Sequence, residues 1–541
     1  MSLLPSLHQD TFARDNLPPE SEWPELRFDL PQLHWPAQFN CAHWLLDLAL
    51  GEIDSGKPAV FFRDGVWSYA ELAAQTNRLC HVLVDELGVQ SGNRVLLRGV
   101  NTPMLFALWL AVVKVGAIAV CTMPLLRAKE LREIVEKAQI RLAICQADLV
   151  AEIDVLPGTS ALDRVVTFGG ETAELEVSAR GKSSQFGAVP TSQDDVCLMA
   201  FTSGTTGTPK ATLHFHRDVA AMCETFAAHM LSGSENAIFT GTPPIAFTFG
   251  LGAALVFPLY FRAATAICEA STPAALGETV QRFRATHVFT SPTAYKALAA
   301  RFGEFDLSSA RVCVAAGEAL SVSISNLWCE KSGIRIVDGI GGTEMIHIFI
   351  SASADAIRPG ATGRPVPGYT AELFDEELRP IQGAGSGRLG VRGPTGCRYL
   401  SDARQREFVR NGWNMTGDFY RRDQDGYYWY VSRVDDMIVS GGYNIAGPEI
   451  EAALCEHPAV QECAVVGWPD SERGQIVKAF VVPKDGVEAR PELVKALQKH
   501  VKDTLAPYKY PRAVEFVEAL PKTATGKLQR SALRSKAGKL G

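Results

Sequence analysis

Phe201-Thr-Ser-Gly-Thr-Thr-Gly-Thr-Pro-Lys210 is the stretch on which the interpretation of this sequence depends. It follows an apolar run, Val196–Ala200, which predicts a buried strand. Gly204 and Gly207 allow a turn with positive φ, so backbone N–H groups can approach a ligand closely. Further hydrogen-bond donors are the side chains of Thr202, Ser203, Thr205, Thr206 and Lys210. This combination suits the phosphate groups of a nucleotide.

The spacing of this stretch differs from the two common phosphate-binding patterns. A P-loop needs Gly-x-x-x-x-Gly-Lys-Ser/Thr, whereas Gly204 and Gly207 are three residues apart and Lys210 follows a proline. The Gly-x-Gly-x-x-Gly pattern of dinucleotide-binding turns does not fit either. Composition alone therefore leaves a second interpretation open, a flexible surface loop rich in serine, threonine and glycine.

Length and composition describe a soluble globular protein with several domains. Of the 541 residues, 47% are hydrophobic and 21% are charged. The net charge of −7 lacks the basic excess of nucleic-acid-binding proteins, so no nucleic-acid partner is expected. The twelve cysteines include no Cys-x-x-Cys pair, and the nearest two, Cys455 and Cys463, lack metal-site spacing. Buried free thiols in a reducing cytoplasm are therefore predicted.

The segment Met104–Leu126 is apolar enough to raise the question of a membrane span. Lys114 lies near its middle, Gly116 interrupts it and Pro124 follows. A buried helix running into a buried strand, Ala117–Thr122, is therefore the better prediction. The first ten residues carry neither a basic region nor a long apolar core, so no signal peptide is expected. A cytoplasmic protein with no membrane partner is predicted.

Strand and helix patterns alternate along the chain in two rounds, which predicts parallel sheets with crossover helices. Gly360–Gly393 is dense in glycine and proline with short alternating strands, which is typical of a small β-barrel subdomain. Ser432–Asp436 has the character of a linker before a compact α+β unit. The predicted fold class is α/β: a large N-terminal domain of two α/β lobes plus a small β-barrel subdomain, then a small α+β C-terminal domain.

Five further strings accompany the first stretch, in the order and at the spacing of one known family. They are Ala315-Ala-Gly-Glu-Ala319, Asp338-Gly-Ile-Gly-Gly-Thr-Glu344, Asn414-Met-Thr-Gly-Asp418, Ser432-Arg-Val-Asp-Asp-Met-Ile-Val-Ser-Gly-Gly-Tyr-Asn444 and Pro521-Lys-Thr-Ala-Thr-Gly-Lys527. Together with the first stretch they resemble the adenylate-forming superfamily of acyl-CoA and aryl-CoA synthetases, luciferases and peptide-synthetase adenylation domains. The resemblance implies an enzyme that uses ATP, Mg²⁺ and coenzyme A.

The resemblance also implies which residues hold the nucleotide. Besides the glycines and donors of the first stretch, the residues implied to contact ATP or AMP are Ala316, Gly317, Glu318, Asp338, Gly339, Thr343, Asp418 and Arg433. The turn with Gly317 is implied to stack against adenine, and Arg433 is implied to help hold the ribose. Asp338 is implied to accept from the adenine amino group, although a strand-end cap is the alternative. A carboxylate such as Asp418 can accept hydrogen bonds from two ribose hydroxyls, although a turn aspartate is the alternative. Glu344 is a hard oxygen ligand for Mg²⁺, although a glutamate at a helix start is the alternative.

Lys527 is the residue that the resemblance implies for catalysis, together with Thr343 and Glu344. Attack of a carboxylate on the α-phosphorus of ATP brings two anions together, so the reaction needs a positioned cation. The alternative is a solvated lysine in a basic tail.

Asp435 takes the family's hinge position, which implies a domain at residues 1–432, a hinge at 433–436 and a mobile C-terminal domain at 437–541. After domain rotation, Ser440, Gly441, Gly442 and Tyr443 would line the tunnel for coenzyme A; a plain turn is the alternative.

The acid-binding pocket is implied by two segments. Its residues are Ala246, Phe247, Thr248, Phe249, Gly250, Gly341, His347 and Ile348. Aromatic walls and a glycine that leaves room for a ring edge suit a small flat ring, and His347 could bind the carboxylate. Phe247 stands where many relatives carry histidine. Thr248 is a partner for an ortho substituent or a cap of the following helix.

These segments resemble the benzoate-CoA ligase branch, and most of all 2-aminobenzoate-CoA ligases. The resemblance implies a small-molecule aromatic acid as substrate, first 2-aminobenzoate, then benzoate or a hydroxybenzoate. Two other functions stay open: an adenylating enzyme that loads a carrier protein, and a nucleotide-binding sensor without catalysis. A monomer or homodimer is expected.

Overall fold

The computed structural model describes residues 3–156, 161–170, 172–202, 209–440, 443–470, 473–522 and 528–536. Its chain divides into two compact units. The first comprises Met1–Ala371 with Val391–Asn414, and the second comprises Glu372–Gly390 with Met415–Gly541. Among the described residues, no helix is both long enough and apolar enough to cross a membrane.

One lobe of the first unit is built on a six-stranded sheet. In spatial order its strands are Arg164–Phe168, Leu142–Gln146, Arg94–Arg98, Ile118–Thr122, Val196–Thr202 and Lys210–Phe215. The last pair is antiparallel, and all other pairs are parallel. Every residue of Arg94–Arg98 and Ile118–Thr122 is buried, which explains the uninterrupted apolar stretches Val95–Leu97 and Ile118–Cys121 within these strands.

The other lobe of the first unit is built on a nine-stranded sheet. In spatial order its strands are Arg364–Pro365, Ile348–Ser351, Ile336–Gly341, Val312–Ala315, His287–Thr290, Ile238–Gly241, Ala264–Ala266, Pro58–Phe62 and Gly65–Ser68. The pairs from Ile336–Gly341 to Pro58–Phe62 are parallel, and the strands at both ends pair antiparallel. The predicted parallel sheets are thus confirmed, with antiparallel edges.

Helices cross over between the strands of the first unit. The longer ones are Tyr69–His81, Pro103–Lys114, Ala128–Ala138, His216–Met222, Pro273–Phe283, Pro292–Ala300 and Val322–Ser332. Shorter α-helices are Phe12–Asp15, Ala151–Asp154, Glu174–Ala179, Ala228–Met230, Thr248–Leu251, Phe257–Tyr260 and Gln405–Phe408, and π-helical turns are His43–Asp47, Val82–Glu86, Cys223–Ala227 and Gly252–Val256. Ser68 caps Tyr69–His81: its side chain accepts from the Glu71 N–H, and the Glu71 side chain accepts from the Ser68 N–H.

The apolar segment 104–126 is part of this core. It forms the helix Pro103–Lys114 and the strand Ile118–Thr122, both buried, so the prediction of a helix followed by a strand is confirmed. The Lys114 ammonium group is buried and lies 2.7 Å from Asp47 Oδ1 and 2.7 Å from Asn77 Oδ1. These partners offset the cost of burying the charge.

The second unit contains most of one five-stranded sheet and all of another. The first sheet has the order Thr370–Phe374, Gly385–Arg392, Trp413–Arg422 and Val409–Arg410, with Tyr428–Arg433 also paired to Trp413–Arg422. The second has the order Tyr443–Ala446, Met437–Ser440, Gly474–Pro483 and Val460–Asp470, with Ala513–Phe516 also paired to Gly474–Pro483. The helices Gly447–Glu456, Pro491–Thr504 and Arg530–Arg534 complete the unit.

The predicted domain bounds, 1–432 and 437–541, stay a prediction. In the structure, residues 372–390 and 415–432 belong to the second unit together with the C-terminal strands. The reason is the hairpin of Trp413–Arg422 with Tyr428–Arg433, which continues into the C-terminal strands through the turn Val434–Asp436. The hinge at 433–436 stays a prediction.

Candidate active site

The threonine- and glycine-rich stretch joins two paired strands. Val196–Thr202 and Lys210–Phe215 are antiparallel neighbours, and Thr202 lies opposite Lys210. The connection is therefore that of a β-hairpin at the edge of the six-stranded sheet, and not the strand-to-helix turn of a P-loop. The predicted phosphate contacts Ser203, Gly204, Thr205, Thr206 and Gly207 lie outside the described residues.

Lys210 is linked to Glu344 by a tyrosine that the sequence analysis missed. The Lys210 Nζ atom lies 3.1 Å from the Tyr399 hydroxyl oxygen, and that hydroxyl donates to Glu344 Oε1 at 2.6 Å. Burial and the Glu344 charge raise the pKa of Tyr399 far above its usual value, so the phenol remains a donor. Glu344 Oε2 has no hydrogen-bond partner among the described residues, so it can face a ligand.

Backbone pairing places Tyr399 beside Lys210. The Leu213 N–H donates to the Arg398 carbonyl at 2.8 Å, and the Leu400 N–H donates to the Ala211 carbonyl at 2.9 Å. The segment Arg398–Leu400 therefore follows the strand Lys210–Phe215. No spacing in the sequence signals this contact, because 189 residues separate Lys210 and Tyr399.

A buried polar cluster supports the turn Thr343–Met345, which carries Glu344. His214 Nε2 donates to the Thr343 carbonyl at 2.7 Å. The other ring nitrogen of His214 lies 3.6 Å from Asp218 Oδ2, which also pairs with Arg398. Burial alone would raise the pKa of Asp218, but the Arg398 charge keeps it below its usual value. Two sequence-distant residues, His214 and Arg398, thus fix the position of the turn.

The two strings implied for adenine lie at the ends of neighbouring parallel strands. Ala316, Gly317 and Glu318 follow Val312–Ala315, and Ala315 pairs in register with Asp338. Gly317 has a φ of +94°, and the Glu318 carboxylate accepts from the Thr293 N–H at 2.9 Å.

Asp338 has an unusual environment. Burial raises the pKa of Asp338 to about 8, and a hydrogen bond from the Gly339 N–H opposes that shift. The carboxyl group can therefore be neutral near pH 7, and no cation pairs with it within the described part of the chain. A Cβ atom at Gly339 would lie 2.7 Å from the Ile348 side chain, so this strand packs tightly against the predicted acid-binding segment.

Asp418 and Arg433, implied for the ribose, are opposite each other on the paired strands of the second unit. Arg433 Nη1 donates to Asp418 Oδ1 at 3.1 Å and to the Thr416 carbonyl at 2.9 Å. Burial raises the pKa of Asp418, and Arg433 opposes that shift. Gly417 has a φ of +77°, and a Cβ atom there would lie 2.5 Å from Arg433 Nη2. The glycine therefore leaves space for the guanidinium group.

The hinge and coenzyme A segments are partly described. Asp435 lies in the turn Val434–Asp436, and its Oδ1 is 3.5 Å from Arg433 Nε. Ser440 is buried, and its backbone pairs with that of Tyr443. Gly441 and Gly442 lie outside the described residues.

The catalytic-lysine loop is described only at its ends. Lys522 and Leu528 form an antiparallel bridge, and the Gln529 N–H donates to the Pro521 carbonyl at 2.8 Å. Lys527 itself lies outside the described residues, so its predicted role stays a prediction.

Aromatic rings surround His347 in the nine-stranded lobe. Its ring centroid lies 4.8 Å from that of Phe226, 4.7 Å from that of Phe257 and 5.8 Å from that of Phe249. Neither ring nitrogen has a hydrogen-bond partner of good geometry among the described residues. Burial lowers the pKa of His347 to about 3, so the imidazole is neutral. The structure thus brings His347 and Phe249 together, as the sequence predicted.

Close packing explains the glycines of this region. A Cβ atom at Gly250 would lie 2.1 Å from the Pro244 carbonyl oxygen, and one at Gly341 would lie 2.7 Å from the His347 carbonyl oxygen. Position 341 therefore has no room for a side chain, because the backbone of His347 lies too close. The sequence had suggested a different reason for this glycine, namely space for the edge of the substrate ring.

The loop before Ala246 and Phe247 is held by Asn101, which the sequence analysis also missed. Its amide donates to the Pro243 carbonyl at 3.3 Å and accepts from the Ile245 N–H at 3.0 Å. The helix that follows begins at Thr248, with Phe247 as its N-cap. The alternative in which Thr248 caps this helix is therefore wrong, and Thr248 itself is a buried residue.

Comparison with known proteins now identifies the family. The model for AMP-binding enzymes matches residues 52–399, and the model for the AMP-binding enzyme C-terminal domain matches residues 449–527. The benzoate–CoA ligase of Thauera aromatica is 37% identical over 520 residues, which cover 93% of this chain and 97% of that protein.

Solved structures agree with these matches. The anthranilate CoA ligase AuaEII, solved with anthranoyl-AMP, is 34% identical with a TM-score of 0.89 and covers 94% of this chain and 99% of its own. A benzoate CoA ligase from Burkholderia xenovorans LB400 is 32% identical with a TM-score of 0.83 and covers 92% of this chain and 100% of its own. The predicted fold class is confirmed. The chain therefore belongs to the AMP-binding enzyme family, as an AMP-forming acid–CoA ligase in the benzoate–CoA ligase branch of the adenylate-forming superfamily.

Proposed function

We propose that this ligase joins a small aromatic acid to coenzyme A through an acyl-AMP intermediate, with 2-aminobenzoate as the first candidate and benzoate or a hydroxybenzoate next. The observation that carries the proposal is the neutral His347 imidazole enclosed by Phe226, Phe249 and Phe257. Aromatic side chains around one adaptable polar group suit a flat ring with one polar substituent. Relatives named for benzoate and anthranilate support the same substrate class.

The neutral state of His347 favours an amino substituent. A neutral imidazole has one nitrogen that donates and one that accepts, whereas an imidazolium only donates. The accepting nitrogen suits an aryl amino group, and Thr248, next to Phe249 in the chain, offers a hydroxyl as a second polar partner. A benzoate ring without such a substituent would leave the buried His347 nitrogens unsatisfied, at a cost in binding.

The first half-reaction forms the bond between a carboxylate oxygen and the α-phosphorus of ATP, and the bond to the β-phosphate breaks as pyrophosphate leaves. Lys527 would stabilise the charge that develops there, and Thr343 would donate to the α-phosphate. In the second half-reaction the coenzyme A sulfur attacks the acyl carbon and AMP leaves. Ser440, Gly441, Gly442 and Tyr443 would line the thiol's path after movement at Asp435.

The residues present fit a Mg²⁺ ion at Glu344. One carboxylate oxygen is held by Tyr399, and the other has no hydrogen-bond partner within the described part of the chain. Mg²⁺ prefers one or two carboxylates together with phosphate oxygens and water, and it neutralises phosphate charge when bound. Lys210 would act on the same phosphates, while Asp418 and Arg433 would hold the ribose. We further propose that the enzyme is cytoplasmic and acts as a monomer or a homodimer.

The test is an acid panel with ATP, Mg²⁺ and coenzyme A, which compares 2-aminobenzoate, benzoate, the hydroxybenzoates and a medium-chain fatty acid. We expect the highest kcat/KM for 2-aminobenzoate and AMP release with coenzyme A alone. A preference for the fatty acid would refute the aromatic pocket. AMP release only in the presence of a carrier protein would instead identify a carrier-loading enzyme.

A further inference from the structure

Two cysteines of the second unit face each other at short distance. Cys455 lies near the end of the helix Gly447–Glu456, and Cys463 lies in the strand Val460–Asp470. Their Sγ atoms are 3.7 Å apart. Cys455 is exposed to solvent, whereas Cys463 is buried behind it. A small oxidant can therefore reach one thiol of a pair that is already in contact.

We propose that Cys455 and Cys463 are a reversible redox site, which a peroxide converts into an intramolecular disulfide. The exposed Cys455 thiolate attacks a peroxide oxygen, the O–O bond breaks, and hydroxide leaves to form water. Cys463 then loses its proton to solvent and attacks the resulting Cys455 sulfenic acid, whose S–O bond breaks. Overall, two thiols lose two electrons and two protons, and one peroxide becomes two waters.

The order of these steps follows from the surroundings of the two sulfurs. Contact with Cys455 and burial hold the pKa of Cys463 well above its usual range, so Cys463 is the poorer first nucleophile. Its thiol also donates weakly to the Glu451 carbonyl at 3.5 Å. Cys455 is thus the attacking residue and Cys463 the resolving one.

A second pair in the first unit provides an internal comparison. The Sγ atoms of Cys41 and Cys197 are 3.9 Å apart, and His216 Nδ1 lies 3.2 Å from the Cys41 sulfur. Hydrogen bonds and the His216 charge lower the pKa of Cys41 to about 6, despite the opposing effect of burial. Both sulfurs, however, are completely buried. Since reaction needs thiolate character and access together, this pair is expected to stay reduced.

The disulfide would act on the network that holds the hinge turn. Glu451 lies one helical turn before Cys455, accepts from Arg530 Nη2 at 2.6 Å and accepts from the Val465 N–H at 2.8 Å. Arg530 Nη1 also lies 3.7 Å from Asp436 Oδ2, in the turn Val434–Asp436. Because a disulfide bond is about 2.05 Å long, closure must shorten the 3.7 Å separation of the two sulfurs and so change how the end of the helix packs on the strand. We expect this change to disturb the Glu451–Arg530 ion pair, which starts from the same helix.

The first experiment maps the oxidised cysteines in the full chain. Protein freed of reductant is treated with hydrogen peroxide, alkylated, digested and analysed by mass spectrometry. We expect a Cys455–Cys463 linkage as the main product, which dithiothreitol reverses. The C455S variant should lose the linkage, C463S should accumulate sulfenic acid at Cys455, and C329S, which changes a half-buried cysteine elsewhere, should behave as wild type. Absence of the linkage, or a Cys41–Cys197 linkage instead, would overturn the proposal.

The second experiment measures the consequence for activity and rests on the proposed function. Fully oxidised protein should form adenylate at least threefold more slowly than reduced protein, and dithiothreitol should restore the rate. C455S should show no such drop. An unchanged rate in protein with the mapped disulfide would overturn the link to Arg530. The mapping itself does not depend on the substrate, so its failure is distinct from failure of the proposed reaction.

Discussion

Replacement of Tyr399 by phenylalanine is expected to lower the rate of adenylate formation, although sequence reasoning gave this residue no role. The change removes the 2.6 Å hydrogen bond to Glu344 Oε1 and leaves the aromatic ring beside Lys210. A hydrogen bond to a charged group contributes about 1.5–3 kcal/mol. If it orients Glu344 in the reacting complex, kcat/KM for ATP should fall by roughly 10- to 150-fold, because about 1.4 kcal/mol corresponds to tenfold.

The assay is ATP–pyrophosphate exchange with the best acid, measured over a range of Mg²⁺ concentrations. We expect the Y399F defect to lessen as Mg²⁺ rises, because a better-occupied metal site compensates for a less ordered Glu344. The matched control is Y260F, which removes a tyrosine hydroxyl that lies 3.1 Å from a different carboxylate, that of Glu224. Exchange within twofold of wild type for Y399F, or equal defects in Y399F and Y260F, would refute this reasoning.

The remaining predictions concern other parts of the site. Lys527→Ala should slow adenylate formation by about 10²- to 10³-fold and spare thiol transfer from supplied acyl-AMP; equal loss of both half-reactions contradicts its role. Asp435→Pro should leave adenylation largely intact and block coenzyme A transfer, and normal transfer would remove the hinge argument. Gly417→Ala should raise KM for ATP about tenfold, because the added Cβ displaces Arg433. The control Gly426→Ala, at a similar φ of +80° but with no atom within 4 Å of its added Cβ, should leave KM unchanged. Equal KM values in the two variants would exclude a role for the position of Arg433. Burial lowers the pKa of His347 to about 3 in the folded protein, whereas an unfolded histidine has a pKa of about 6.5. As the pH drops below about 6.5, the unfolded chain therefore takes up a proton that the folded protein does not, and the free energy of unfolding falls. Between pH 7 and pH 5 this loss is about 2 kcal/mol, and urea unfolding should show it in wild type but not in His347→Gln.

The sequence by itself determined those turns, helix caps and strands that depend only on residues close together in the chain. Asp64 and Gly65 mark the turn between Pro58–Phe62 and Gly65–Ser68, and Ser68 caps the next helix. Likewise, the apolar run Val312–Ala315 forms a buried strand. Turn chemistry, capping and periodicity depend on residues a few positions apart, so they can be predicted from the sequence alone.

Motif strings also identified the family and supplied most of the residues proposed for the site, since glycines, hydroxyls and carboxylates recur at fixed spacing within each string. The strings placed Asp338 next to the adenine turn and Asp418 near Arg433, and the pairing of their strands agrees. What each string could not indicate was its environment. That Asp338 has a pKa of about 8 depends on burial by chain segments distant in sequence.

Only the tertiary structure decided which distant side chains complete the site. Tyr399 meets Glu344, His214 meets Thr343 and Asn101 meets Pro243 through strands and loops that lie 55, 129 and 142 residues apart in the chain. It also decided that residues 372–390 and 415–432 pack with the C-terminal part. Such contacts follow from strand pairing and packing across the whole fold, and a hydroxyl, an imidazole or an amide carries no local signal of the partner it will reach.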